Sequence, residues 1–321
     1  MPLPRKRLVS LDDTPYYHCI ARCVRRAYLC GTDPITGFDF EHRRQWIVDR
    51  MKWLSSIYAI DICAYAVMNN HYHVVLKVDV DKAKKWSDRE VAALWNKVFS
   101  TPQYISRWLK NKPLSEGEIE MIEKDINIWR HRLYDLSWYM RCLNEAIARM
   151  ANEEDNCTGR FWEGRFKSQA LLDERALLSC MAYVDLNPVR AAIANTLDES
   201  DYTSIQQRIL QPTDESILPF SDQTERPERL PYSARDYFEL VGWAKLEIQS
   251  EGKGQISHEI PRILQQLAMN RKFVLGYLSK RSKTSFRAIG PWSRLCAMAK
   301  SVGLKFLHGK DFSEQLCPEA R

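Results

Sequence analysis

Hydrophobic and polar positions change period several times along the chain, and each change marks an element. Tyr16 to Val24 is rich in β-forming residues and reads as a first strand. Turn signals follow at Gly31, Asp33-Pro34 and Gly37. Residues 39–58 then carry apolar side chains at helical spacing, at Phe40, Trp46, Ile47, Met51, Leu54 and Ile57. Ile60 to Met68 is an apolar run of strand length, Asn69-Asn70 a turn, and His71 to Val80 the returning strand. Strand, helix, strand, tight turn and strand predict the front of an antiparallel α+β sandwich.

Residues 81–158 predict helix for most of their length. Ser87-Asp88-Arg89-Glu90 has the form of a capping box, and one long amphipathic run covers about Glu118 to Met150. Trp129, Trp138, Tyr139 and Met140 fit its core-facing stripe. Gly159 to Leu172 predicts a turn and a further strand. Asp173 to Leu186 predicts a helix that Pro188 ends near Asn187, because the residue before proline is pushed away from helical angles. Pro212, Pro219, Pro227 and Pro231 suggest a linker or loose wrap. Helices are then expected at Tyr237–Ile248, Ile260–Leu278 and Trp292–Val302.

Composition (45% hydrophobic, 27% charged) is that of a globular protein, and no apolar run has the length of a transmembrane helix. The basic N-terminus lacks the apolar core of a secretory signal. Nine scattered cysteines, with only Cys19 and Cys23 close together, do not complete a zinc pattern and suit reduced thiols in a cytoplasmic protein. Net charge is +6, a mild lean toward polyanions. Its distribution says more. Pro261 to Lys310 contains no Asp or Glu but holds Arg262, Arg271, Lys272, Lys280, Arg281, Lys283, Arg287 and Arg294 among its cations, which favours a phosphate backbone as partner.

The candidate chemistry starts at His71-Tyr72-His73. Strand side chains alternate, so His71 and His73 share a face and Tyr72 takes the other. Two such imidazoles make half of a divalent-metal site, or else a pair of surface histidines. His18 is set aside as a core or edge histidine. Arg160, Arg165 and Lys167, interleaved with Phe161 and Trp162, suit single-stranded nucleic acid, with cations on phosphates and a ring on a base. An ordinary edge strand with buried aromatics fits them equally. Tyr183 and Asn187 lie four apart and share a helix face. A metal on His71 and His73, completed by the Asn187 carbonyl and suited to magnesium or manganese, would allow Tyr183 to attack phosphorus.

Four ordered segments carry a resemblance: Tyr17-His18-Cys19, Met68-Asn69-Asn70-His71-Tyr72-His73, Gly159 through Ser168, and Tyr183-Val184-Asp185-Leu186-Asn187-Pro188-Val189-Arg190-Ala191. Asp201-Tyr202-Thr203-Ser204 extends it. The sequence here resembles the HUH-type single-tyrosine transposases, within them the REP-associated tyrosine transposase group. Asn69 stands where that family usually has proline. The resemblance implies a ferredoxin-like antiparallel sheet with helices on one face in residues 1–205, with a helical insertion at about 81–140. Residues 206–321 form a basic, mainly helical extension outside it. It also implies Tyr183 as nucleophile, and His71, His73 and Asn187 as ligands of Mg2+ or Mn2+. Single-stranded or hairpin DNA would be cut near REP-like palindromes through a 5′-phosphotyrosine, with Arg160, Trp162, Arg165, Lys167 and Arg190 as DNA contacts. Salt bridges or helix capping remain open for those cations. A nucleoid-associated bacterial protein is expected, and a homodimer in which Tyr183 serves its partner's site is left open. Two other readings stand beside this one: a domesticated, non-catalytic hairpin-binding protein, and a zinc hydrolase using water.

Overall fold

A computed structural model describes residues 4, 7–24, 29–33, 37–221, 228–250, 259–279 and 286–316. Pro34, Pro227, Lys280, Arg281 and Lys283, invoked above, lie outside them. The first elements follow the hydrophobic pattern: β1 (Tyr16–Arg22), α1 (Arg43–Ser55), β2 (Ile60–Val67) and β3 (His71–Val78). Then come α2 (Val80–Lys85), α3 (Asp88–Val98), α4 (Gln103–Leu109), α5 (Glu116–Arg132) and α6 (Leu136–Glu154). The expected long helix is two helices. Asp135 accepts from the backbone N–H groups of Ser137 and Trp138, so its side chain starts α6 afresh after the turn at Leu133 and Tyr134. Ser87 and Glu90 do form the capping box of α3.

After β4 (Lys167–Leu171) come α7 (Glu174–Asp185), α8 (Asn187–Arg190), α9 (Ser204–Leu210) and α10 (Ala234–Ser250). The chain continues through α11 (Arg262–Gln266), α12 (Arg271–Ser279), β5 (Ala288–Ile289), α13 (Trp292–Ser301) and α14 (Lys310–Leu316). The single helix expected over 260–278 breaks between α11 and α12. Ala268 there takes a φ of +50°, and the Asn270 side chain accepts from the N–H of Phe273 to start the next helix.

Strand order is β2-β3-β1-β4-β5. The first four strands pair antiparallel, and with α1 and α6 as crossings they give the ferredoxin-like β-α-β-β-α-β path. β5 joins parallel to β4, so the sheet is mixed. Gly290 permits this join, because a Cβ there would sit 2.5 Å from Cβ of Leu172.

Helices cover both faces of the sheet rather than one. On the first face Tyr17, Cys19 and Ala21 of β1 and Tyr72, Val74 and Leu76 of β3 pack against Ile47, Met51 and Leu54 of α1 and Leu143 and Ile147 of α6. On the second, Ala64, Ala66, Val75 and Leu171 meet Leu177, Met181 and Val184 of α7, with Tyr237 and Leu240 of α10 and Val274 and Leu278 of α12 behind them. A register shift between Ile62 and Ala64 keeps Tyr65 and Val67 on the first face with Ile60 and Ile62. The C-terminal segment is therefore packed into the same core as the first 205 residues. Among the described residues no helix is long and apolar enough to cross a membrane.

Candidate active site at the histidine face of the sheet

The register of three strands assembles the site. His73 lies opposite Ile20, and Ile20 opposite Lys167. His18 lies opposite Gln169, and Arg22 opposite His71. Paired residues share a face, so Arg22, Lys167, Gln169 and the histidines 18, 71 and 73 all project to the α7 side. Tyr72 projects to the other face, where its phenol donates to Oδ1 of Asn144 at 2.7 Å.

His71 and His73 are neighbours, with ring centroids 4.8 Å apart. Nδ1 of His71 hydrogen-bonds the Oδ1 of Asn70 at 2.5 Å, so that nitrogen carries the proton and Nε2 keeps its lone pair. Nδ1 of His73 lies 2.8 Å from Nε2 of His18. Burial pushes His18 and His71 down to about 4, and the nearby Arg190 works in the same direction, as does Arg22 at His71. Burial and the neighbouring histidines push His73 well below its ordinary value. All three are neutral near pH 7, the state in which imidazole ligates a metal.

α7 brings Tyr183 to this pair from more than a hundred residues away. Asp173 caps the helix by accepting from the N–H of Ala176, and buried Leu177, Met181 and Val184 set its rotation on the sheet. Tyr183, half-buried, stands edge-on to His73 at 5.9 Å and to His18 at 6.3 Å between ring centroids. The Arg190 guanidinium lies 3.8 Å from the Tyr183 ring centroid, and Tyr277 of α12 approaches the same ring at 5.4 Å. The far end of α7 is fixed by Asp185. Its fully buried carboxylate accepts from the Ser204 hydroxyl (2.5 Å), the Ile205 N–H (3.0 Å) and the Tyr237 hydroxyl (2.5 Å).

Asn187 sits one turn beyond Tyr183, as the spacing predicts, in α8 directly after α7. Its Oδ1 accepts from the guanidinium of Arg190, and its buried Nδ2 has no hydrogen-bond partner among the described residues. The carbonyl expected to face a metal is thus held by a cation. Among the described residues no three His, Cys, Asp or Glu side chains gather as a metal cage. What fits a divalent ion is the histidine pair: two neutral imidazoles on one rigid strand, with the His71 lone pair on Nε2.

The five expected DNA contacts separate. Lys167 and Arg190 lie on the histidine face, the first exposed and the second half-buried. Arg160 is exposed in the turn before β4, with its guanidinium close to Gly164. Arg165 lines a cleft along α6 with Met140, Asn144 and Phe166. Trp162 is packed edge-on against Tyr72 at 5.7 Å, and its indole N–H donates to the Asn144 carbonyl at 2.8 Å. At 9% exposure its ring is mostly core, with only a margin in the cleft that Arg165 lines. The sequence reading missed Arg22 and Gln169 and set His18 aside. The four-residue spacing that puts His18 and Arg22 on one strand face was visible, but only the β1–β3 register puts them beside His73 and His71.

No family model matches the chain, and neither does any curated protein. Among solved structures, a REP-associated tyrosine transposase bound to a REP hairpin aligns with it at 10% identity and a TM-score of 0.37, over 68% of this chain and 92% of that one. A likeness of that size carries no argument about what this chain does.

Proposed function

We propose that this protein is a metal-dependent DNA strand transferase that cuts single-stranded DNA near hairpins through Tyr183. The observation that carries the proposal is the meeting of Tyr183 with His73, the neighbour of His71, across two distant elements. Mg2+ or Mn2+ held by His71 and His73 would supply charge stabilisation at a non-bridging phosphate oxygen. Water and the phosphate itself would fill further positions, which suits a hard ion that keeps part of its hydration shell. The phenol oxygen of Tyr183 attacks phosphorus and loses its proton. The bond to the 3′-oxygen breaks, that oxygen leaves as a 3′-hydroxyl, and the 5′ end stays on Tyr183. The reverse attack rejoins strands without ATP. Arg190, Arg22 and Lys167 put positive charge on the face where the phosphates would lie.

A second reading, a protein that grips hairpin DNA without cutting it, draws on the Asn187 carbonyl being held by Arg190. One assay separates the two. The protein is incubated with labelled single-stranded hairpin DNA from the flanks of its own gene, with manganese or with EDTA, and resolved on a denaturing gel. A manganese-dependent adduct that disappears in Tyr183→Phe is expected. A native-gel shift on the same DNA without any adduct would transfer the case to the second reading. Efficient cutting by Tyr183→Phe would remove Tyr183 from the mechanism.

A further inference from the structure

We infer that His18 is a positioning residue that fixes the tautomer of His73, and that Gln169 and the main chain of the C-terminal segment fix His18 in turn. The inference deepens the reading of the site given above and rests on it for its functional meaning, though not for its structural content.

The carbonyl oxygen of Phe286 can only accept, and it accepts from Nε2 of Gln169 at 2.8 Å. That bond assigns the two ends of the Gln169 amide and turns Oε1, an acceptor, toward His18, whose Nδ1 lies 3.4 Å away. Nδ1 of His18 therefore carries the proton. A neutral imidazole has one N–H, so Nε2 of His18 is an acceptor, and the 2.8 Å contact requires His73 to donate to it from Nδ1. His73 is left with its lone pair on Nε2. On the next position of the same face, Asn70 does the same for His71 by accepting from Nδ1. Both histidines thus present Nε2, the arrangement in which a ligand imidazole donates its other N–H to a neighbour that orients it.

β5 is what makes the chain of bonds possible. Its pairing with β4 brings Phe286 beside Gln169, since the Ala170 N–H donates to the carbonyl of Arg287 at 2.8 Å. A segment that the sequence marks only as basic and helical therefore reaches the histidines through one glutamine. Gln169 is the residue to change, because it touches neither Tyr183 nor the two ligand rings in any described contact.

The test reads the tautomer directly in the full-length, metal-free protein by two-bond 1H–15N spectra of the histidine side chains. Manganese affinity is measured separately by titration calorimetry. In the wild type, His18 and His73 should both be Nδ1–H. Gln169→Leu should turn His73 into a mixture of tautomers and weaken manganese binding by about 10- to 100-fold, the range found for outer partners of ligand histidines. Gln169→Glu, which keeps an acceptor toward His18 but loses the donor to the Phe286 carbonyl, should retain the Nδ1–H tautomer of His18 and His73. An Nε2–H His73 in the wild type would overturn the inference, and so would an unchanged tautomer and affinity in Gln169→Leu. Should Gln169→Leu fail to fold, the wild-type spectrum still decides. Failure of the strand-transfer reading would show differently, as a correct Nδ1–H spectrum in a protein that forms no adduct with DNA.

Discussion

At the scale of the residue, Tyr183 and Arg190 are a unit. The guanidinium stacks on the phenol ring and also reaches the Tyr183 carbonyl at 3.3 Å and the Asn187 amide. Lysine has neither the flat face nor the fork to do all three. Arg190→Lys is therefore expected to slow adduct formation by about 100-fold, the cost of roughly 1 Å of misplacement in a reacting group. Single-turnover trapping at saturating DNA measures it, and DNA affinity should change much less. Tyr183→Phe should remove the adduct entirely while the dissociation constant for hairpin DNA stays within about 10-fold, since a single phenol hydroxyl contributes only about 0.5–1.5 kcal/mol even when bonded. Trp162 marks the limit of reading residues by type. In sequence it looks like a stacking platform, and in the fold its ring is core.

Elements are held at the site by groups that take no part in the chemistry. Asp185 joins the end of α7 to the start of α9 and to Tyr237 on α10. Asp185→Ala would leave three donors unpaired in a dry place, and we expect a loss of about 3 kcal/mol or more in denaturant unfolding. The same carboxyl has a readable pH signature. Burial raises it from 3.8 to about 6, so between those values the folded chain keeps a proton that the unfolded chain has lost. Its contribution to stability therefore falls as pH rises through that window. The site histidines run the other way. Held near 4 against 6.5 in the case of His18 and His71, they take up protons on unfolding, and their contribution falls as pH drops. The difference between wild type and Asp185→Asn isolates the first effect: the gap in unfolding free energy should move in favour of the variant from pH 4 to pH 6. A gap that stays constant would contradict it. Gly290→Ala tests the β4–β5 join. The added Cβ collides with Leu172 at a φ of +156°, and a loss of about 1–3 kcal/mol is expected.

Across the whole molecule, the C-terminal segment is part of the construction of the site. Tyr277 leans on Tyr183, Phe286 holds Gln169, and Tyr237 bonds Asp185. A chain ending at residue 205 would expose Leu177, Met181 and the rest of the second core. It should be non-cooperative in thermal unfolding and rapidly cleaved in limited proteolysis. The distribution of cations gives a separate prediction. With Arg22, Lys167, Arg190 and one cation of the basic stretch each meeting a phosphate of a single strand, log affinity should fall with log salt at a slope of about −3. A slope near zero would argue against a phosphate-binding face.

The front half of the fold was legible because local rules govern it. The β-formers of Tyr16–Val24, the helical spacing of residues 39–58 and the alternation of His71, Tyr72 and His73 place β1, α1 and β3 within a few residues of their observed bounds. The same alternation puts both histidines on one face, and the four-residue spacing puts Asn187 a turn beyond Tyr183. The sequence did not determine which strands lie side by side, in what register, and which face a helix covers. Those depend on contacts between residues far apart in the chain. His18 reaches His73 through the β1–β3 register, Trp162 turns into the core opposite Tyr72, and Arg190 folds back onto the Asn187 carbonyl. β5 is two residues long and hidden in a basic stretch, and it exists because β4 offers an edge and Gly290 lets the chains approach. Local patterning fixed the parts and the candidate chemistry, while the pairing of distant strands decided which side chains meet, because burial and hydrogen bonding are satisfied only in the assembled sheet.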